Sequence, residues 1–259
     1  MTRRSWIGVA VLVIAAVLAA FVAANLWLGN AVSDEAAGEM DAALDDAWAD
    51  GRGYAEVNVA GLGDGSNAGL TVGSGVQDQP VTAFARMEIP RYGPNWSYTV
   101  LSSVSQDALA AGPGWYPETA LPGEAGNTAL AGHRMGNGAP FTRLSELEVC
   151  DEIVLTTADK RLSYRVLPID GAREDIAECA DVDVTEAVVH GELSHLPGRH
   201  ITTPSDVAVL EPVPYLGLDT VPTRSILTLT TCHPWYDNSE RQIVHAVLAK
   251  SAPTNMSPD

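Results

Sequence analysis

Ser225-Ile226-Leu227-Thr228-Leu229-Thr230-Thr231-Cys232-His233-Pro234 decides how this chain is read. Isoleucine, leucine and threonine dominate the run up to the cysteine, and a proline ends it two residues later. This composition predicts a strand with a thiol at its end, where a side chain can face a cleft. A second strand-like run, Arg241-Gln242-Ile243-Val244-His245-Ala246-Val247-Leu248, sets a guanidinium nine residues beyond the cysteine. A thiol, a fixed positive charge and a histidine from elsewhere in the chain are the parts of acyl-transfer chemistry.

Cys232 is the candidate nucleophile. A free thiol is only a few per cent thiolate at neutral pH, and a neighbouring cation raises that fraction. The plain alternative for a lone cysteine is a small buried hydrophobe. His133 ends the run Ala129-Leu130-Ala131-Gly132-His133 and is the candidate general acid and base. The glycine before it leaves room for a close approach. Arg241 would donate to a substrate carbonyl and its oxyanion; the alternative is a surface ion pair with Glu240. His233 is set aside because neighbouring strand residues point to opposite faces, and His245 is weighed below His133. His190, His195 and His200 recur at a spacing that suits neither one helix face nor one strand face, so no metal site is expected there.

From Val81 onward, short apolar or alternating runs recur between turn residues. They include 84–89, 128–131, 152–157, 162–167 and 200–203, before the two strands around Cys232 and Arg241. Many short strands at this spacing predict a β-barrel or sandwich. Short helices are expected near 104–111, 141–147 and 205–210, the last capped by Ser205-Asp206.

Residues 6–28 are apolar and uncharged, and Arg3 and Arg4 precede them. As a helix this run is about 35 Å long, against roughly 30 Å of bilayer hydrocarbon. The positive-inside rule puts residues 1–5 in the cytoplasm and the rest outside, as a single-pass plasma-membrane protein. A cleaved signal peptide is the alternative, disfavoured by the length of the apolar run. Residues 29–82 read as an acidic stalk followed by a Gly-, Ser- and Asn-rich linker. The net charge of −18 argues against a nucleic-acid partner. Of the three cysteines, an extracellular setting makes Cys150 and Cys179 a candidate disulfide, with Cys232 left free. The alternative is two buried thiols.

Several stretches together resemble one family: Met87-Glu88-Ile89-Pro90-Arg91, the run from Leu121 to Arg134, Gly138-Ala139-Pro140-Phe141, Thr203 to Leu210, and Leu227 to Pro234 with Arg241. They resemble the sortases, membrane-anchored cysteine transpeptidases of Gram-positive bacteria, over about residues 83–250, leaving 251–259 as a tail. Gly112-Pro113-Gly114-Trp115-Tyr116-Pro117, the doubled threonine and Cys-His-Pro look most like class E, the actinobacterial housekeeping group. The resemblance implies an all-β fold, an eight-stranded barrel with short helices behind a single N-terminal transmembrane helix. It implies a His133–Cys232–Arg241 site and cleavage of an LPxTG-like C-terminal sorting signal between Thr and Gly, with LAxTG favoured in class E. A peptidoglycan-precursor amine would resolve the thioacyl-enzyme. Tyr116 and Thr231 match substrate-binding positions, and 205–224 matches the loop over the substrate. The acidic pairs that bind calcium in some class A sortases have no counterpart, so no metal or other cofactor is expected. The alternatives are a pilin-polymerising sortase, an extracellular cysteine peptidase, and a non-enzymatic wall-binding domain. For class C, neither an N-terminal lid nor a second transmembrane run after Leu248 is present in the sequence.

Overall fold

The structure, a computed structural model, describes residues 3–63, 80–136, 138–234 and 238–254. Helix α1 (Arg3–Ala49) is followed by β1 (Ala55–Val57), β2 (Val81–Glu88), β3 (Ser97–Leu101), α2 (Gln106–Ala111), β4 (Gly114–Trp115) and β5 (Gly126–Ala131). The chain continues through β6 (Glu152–Thr156), β7 (Lys160–Val166), α3 (Val182–Val189), β8 (Arg199–Thr202), β9 (Ser225–His233) and β10 (Glu240–Pro253).

Hydrogen-bonded neighbours run β2-β3-β4-β5-β9-β10-β7-β6, and β6 pairs back onto β2. Eight strands therefore close on themselves, as the resemblance implied, and closure removes the open edges that an antiparallel sheet would expose. Two strands lie off the ring: β1 extends β2, and β8 flanks the first half of β10. The interior is filled by Met87, Val100, Leu130, Phe141, Ile153, Leu155, Leu162, Tyr164, Leu227, Leu229 and Val244, all fully buried. In β2 burial alternates over Ala83, Ala85 and Met87, the period-two pattern of a strand with one face on the core.

β5 and β9 are buried on both faces. They are the long parallel pair of the barrel, in register from Gly126↔Ser225 to Ala131↔Thr230. Even-numbered Leu130 and odd-numbered Leu227 and Leu229 face inward. Ala129, Ala131, Cys232 and Ile243 pack on the outer face against Leu109, Tyr116 and Val209. Parallel strands of this kind need cover on both sides, and the outer cover here comes from α2 and the chain around Val209.

The acidic stretch is helical, but it does not stand clear of the barrel. Ala36, Met40, Leu44 and Ala47 form one stripe at helical spacing, and with Trp48 they bury against Ala55, Val59, Ala83, Leu101, Ala108 and Ala111. Asp41 accepts from Arg86 at 3.1 Å and from the Thr99 hydroxyl at 2.6 Å, while Asp45 accepts from Arg86 at 2.8 Å. Asp34, Glu35, Glu39 and Asp46 stay exposed. The end of α1 and β1 are thus packed parts of the domain. Residues 64–79, the centre of the expected linker, lie outside the described residues. So do most side chains of 6–28; among the described residues no helix is long and apolar enough to cross a membrane. At the other end, β10 pairs with β7 as far as Pro253↔Lys160, so the strand takes in the first residues of the expected tail.

Cys150 and Cys179 are bonded, with Cα atoms 5.6 Å apart and a sequence separation of 29. The bond ties the turn before β6 to the short 3-10 helix Arg173–Glu178 that precedes α3. Asp206 does not cap the turn at Val207–Leu210. Its carboxylate accepts instead from the hydroxyls of Thr202 and Tyr215.

Candidate active site

Cys232 and Arg241 are directly opposite in the β9–β10 ladder. Opposed residues of an antiparallel pair share a face, so thiol and guanidinium emerge side by side. On the other flank of β9, the parallel ladder with β5 extends one step beyond the strand, from the Gly132 amide to the Thr230 carbonyl at 3.1 Å. His133 follows, two residues after outward-facing Ala131, and alternation carries it to the face of Cys232. The three sequence candidates are therefore brought together at neighbouring ends of three adjacent strands. All are buried: His133 is 3% exposed, Cys232 4% and Arg241 4%.

Local contacts explain how each is held. The Gly132 position is forced by the barrel interior: a Cβ there would lie 2.6 Å from the Phe141 ring. The close approach anticipated at this glycine thus comes from a core phenylalanine. Phe141 donates its amide to the His133 carbonyl at 3.0 Å, closing the loop after the histidine. Arg241 Nη1 donates to the main-chain oxygens of Asn238 (2.9 Å) and Glu240 (2.8 Å). Both of these acceptors are main-chain carbonyls at or just before the start of β10. Cys232 is the one free cysteine. Burial pushes its thiol above the ordinary value, while the charges of Arg241 and then Arg134 pull it back. A thiol, an imidazole and a guanidinium on neighbouring strands are the side-chain types that acyl transfer to and from a thiol requires.

The sortase-domain family matches residues 87–249. The chain belongs to the sortase family. It is similar to sortase SrtE1 of Streptomyces coelicolor (strain ATCC BAA-471 / A3(2) / M145), 30% identical over 240 residues, with 90% of this chain and 53% of that protein covered. Sortase SrtE2 of the same organism is 30% identical over 159 residues, covering 59% of this chain and 57% of that protein. This chain spans about half the length of the curated relatives it matches. Among solved structures, the SrtF sortase from Corynebacterium diphtheriae is 43% identical, with a TM-score of 0.65 over 68% of this chain and 88% of that one. The SrtA sortase from Actinomyces oris is 26% identical, with a TM-score of 0.51 over 76% and 97%. The sortase E names of the curated relatives agree with the class read from the motifs.

In this sortase Tyr116 and Thr231 are buried rather than on the surface; each is 0% exposed. The Tyr116 hydroxyl is 3.1 Å from Thr230 Oγ1, and Tyr116 packs in the same apolar cluster as Cys232. The Thr231 hydroxyl donates to the Gly132 carbonyl at 2.7 Å, fixing the approach to His133. The loop 205–224 is rooted by Asn127, whose amide donates to the carbonyls of Val209 (2.9 Å) and Glu211 (3.2 Å). Beyond that root Leu218 and Val221 are 78% and 80% exposed.

His245 and His200 are structural partners of this loop. His245 is fully buried and 2.9 Å from the Thr228 hydroxyl, which donates to Asn127 Oδ1. His200 stacks on His245 at 5.4 Å and meets the Tyr215 hydroxyl at 2.6 Å. Sequence spacing missed this pair because it joins β8 to β10, which lie far apart in the chain. Arg134 was also missed as a site residue, although it adjoins the histidine. Its Nη1 reaches the main-chain oxygen of Cys232 at 3.2 Å.

Proposed function

We propose that this chain is a class E-like sortase: a cysteine transpeptidase anchored in the plasma membrane by residues 6–28, with its amino terminus cytoplasmic and its barrel outside. Its donors are surface proteins bearing an LAxTG- or LPxTG-like C-terminal signal. The Cys232 thiol gives its proton to His133 as its sulfur attacks the Thr carbonyl, and Arg241 donates to the oxygen as it gains charge. His133 gives its proton to the departing glycine amine, leaving a thioacyl-enzyme. An amine of a peptidoglycan precursor then attacks the thioester and loses its proton to His133, which regenerates the thiol. Each half-reaction conserves protons and requires no metal or other cofactor. The observation that carries the reading is Cys232 directly opposite Arg241 in the β9–β10 ladder, with His133 two residues beyond β5, the parallel neighbour of β9. The run of uncharged residues at 6–28 supports the anchor.

The test is product partition. The full-length protein in detergent, given an LAxTG or LPxTG peptide, is expected to form an amide with an added amine in preference to the hydrolysed acid. Hydrolysis that no amine diverts would point to a peptidase. Turnover only with a pilin lysine peptide would point to a polymerising sortase.

A further inference from the structure

Arg134 takes no part in the steps above, yet it is bonded to the strand end that carries them out. Its Nη1 lies 3.2 Å from the Cys232 main-chain oxygen, 2.8 Å from His233 Nδ1 and 3.1 Å from Gln242 Oε1. Gln242 is opposite Thr231 in the ladder and 2% exposed. His233 and Gln242 alternate with Cys232 and Arg241 along their strands, so the grip comes from the face opposite the thiol.

Chemistry fixes the direction of these bonds. Arginine keeps its proton in a protein and accepts nothing, so Arg134 is the donor in all three. His233 Nδ1 is then an acceptor of this bond. One cation thus joins the end of β5, the last two residues of β9 and the start of β10, where regular ladder bonding runs out.

We propose that Arg134 is a positioning residue of the transfer reaction, a clamp on the strand end that carries the nucleophile and a second fixed positive charge beside its thiol. The proposal rests on the reading of Cys232 as the nucleophile. Arg241 acts on the thiol's own face, where the carbonyl oxygen would lie. Arg134 acts through the main chain, holding residues 231–233 at the angle that aims the sulfur. The pull of both arginines on the thiol agrees with this division.

Alkylation tests it. Cys150 and Cys179 are bonded, so iodoacetamide reports on Cys232 alone. The full-length protein in detergent is followed by intact mass over about pH 6–10. Arg134→Gln is expected to slow alkylation roughly three- to tenfold at neutral pH, to displace the pH–rate line toward higher pH, and to lower kcat for peptide cleavage. Arg134→Lys keeps the charge but not the planar fork. Its pH–rate line is expected to stay where the parent's lies while kcat still falls. An undisplaced line in Arg134→Gln overturns the charge role. An undiminished kcat in Arg134→Lys overturns the clamp, and equal displacement in both variants marks a merely structural arginine. Should Arg134→Gln fail to fold, Arg134→Lys decides by itself, since a displaced line there contradicts the proposal. Alkylation needs no sorting peptide, so failure of every peptide would sink the transpeptidase reading and leave the pH–rate comparison intact.

Discussion

At the scale of single residues, the burial that makes the site also sets its pH response. The Cys232 thiol is pushed above its ordinary value of 9.0, chiefly by desolvation, with Arg241 opposing. Little thiolate exists at neutral pH, so the wild-type alkylation rate is expected to climb with pH and still be climbing at pH 9. A plateau reached near neutrality would contradict this. Arg241→Ala removes the oxyanion donor and is expected to lower kcat by roughly 10²–10³-fold, with Arg241→Lys intermediate in steady-state peptide assays. His245 gives a separate signal, in stability. Its folded pKa lies well below the ordinary 6.5 because it is fully buried, with His200 and His195 adding repulsion. A depressed value means the unfolded chain takes up the proton first. The contribution of His245 is thus complete above pH 6.5 and is lost as pH falls below it, at about 1.4 kcal/mol per pH unit. Urea unfolding between pH 7 and the onset of carboxylate titration should show this slope, and His245→Gln should flatten it. The Cys232–Arg241 pairing was legible at this scale because a cysteine ending a threonine-rich strand and an arginine opening the next one fall into register. Arg134 was not, since sequence cannot reveal that its reach ends on a main-chain oxygen of the nucleophile.

At the scale of elements, β2, β5, β6, β7, β8, β9 and β10 were readable from alternation and turn residues, whereas β3 and β4 were not. β3 reads Ser97-Tyr98-Thr99-Val100-Leu101, more polar than the pattern sought, and β4 is only Gly114-Trp115. α3 hides behind β-branched residues, Val182, Val184, Thr185, Val188 and Val189, that favour strands. Its helix is fixed by Asp181, which accepts from the Val184 amide at 2.8 Å, and by burial of Val184, Ala187 and Val188. The end of α1 reads as a stalk because alanine and acid dominate its composition, masking the stripe that docks it. Leu44, 0% exposed in that interface, is therefore the informative position: Leu44→Ala is expected to cost about 2–5 kcal/mol in chemical denaturation. A change within a few tenths of a kcal/mol would mean that the helix does not pack in solution. The disulfide closes a loop of 29 residues, so replacing both cysteines with serine should destabilise the domain by about 3–4 kcal/mol in the chain-entropy account. Because α3 packs with Ile226 and Val247, at the end of the β9–β10 ladder away from Cys232, alkylation of Cys232 should be unaffected at temperatures where the variant is folded.

At the scale of the molecule, eight strands close into a frame, and the proposed chemistry lies where β5 and β9 end and β10 begins. The loop 205–224 is tied down at Asn127 and leaves Leu218 and Val221 exposed. Docking of α1 and β1 means that a soluble fragment beginning at residue 81 would expose Ala83, Leu101 and Ala108. A fragment of residues 31–259 is expected to melt at a higher temperature than one of 81–259; equal Tm values would argue that the helix is dispensable. The central claim, that Cys232 carries the acyl group of a cleaved sorting signal, has one direct measurement. Intact mass spectrometry of the full-length protein, quenched in acid after mixing with an LAxTG or LPxTG peptide, should show the mass of the peptide's amino-terminal fragment added to the chain through Cys232. Cys232→Ala should show none. A folded protein with a free thiol that yields no adduct with either peptide, or an adduct that survives in Cys232→Ala, would contradict the account.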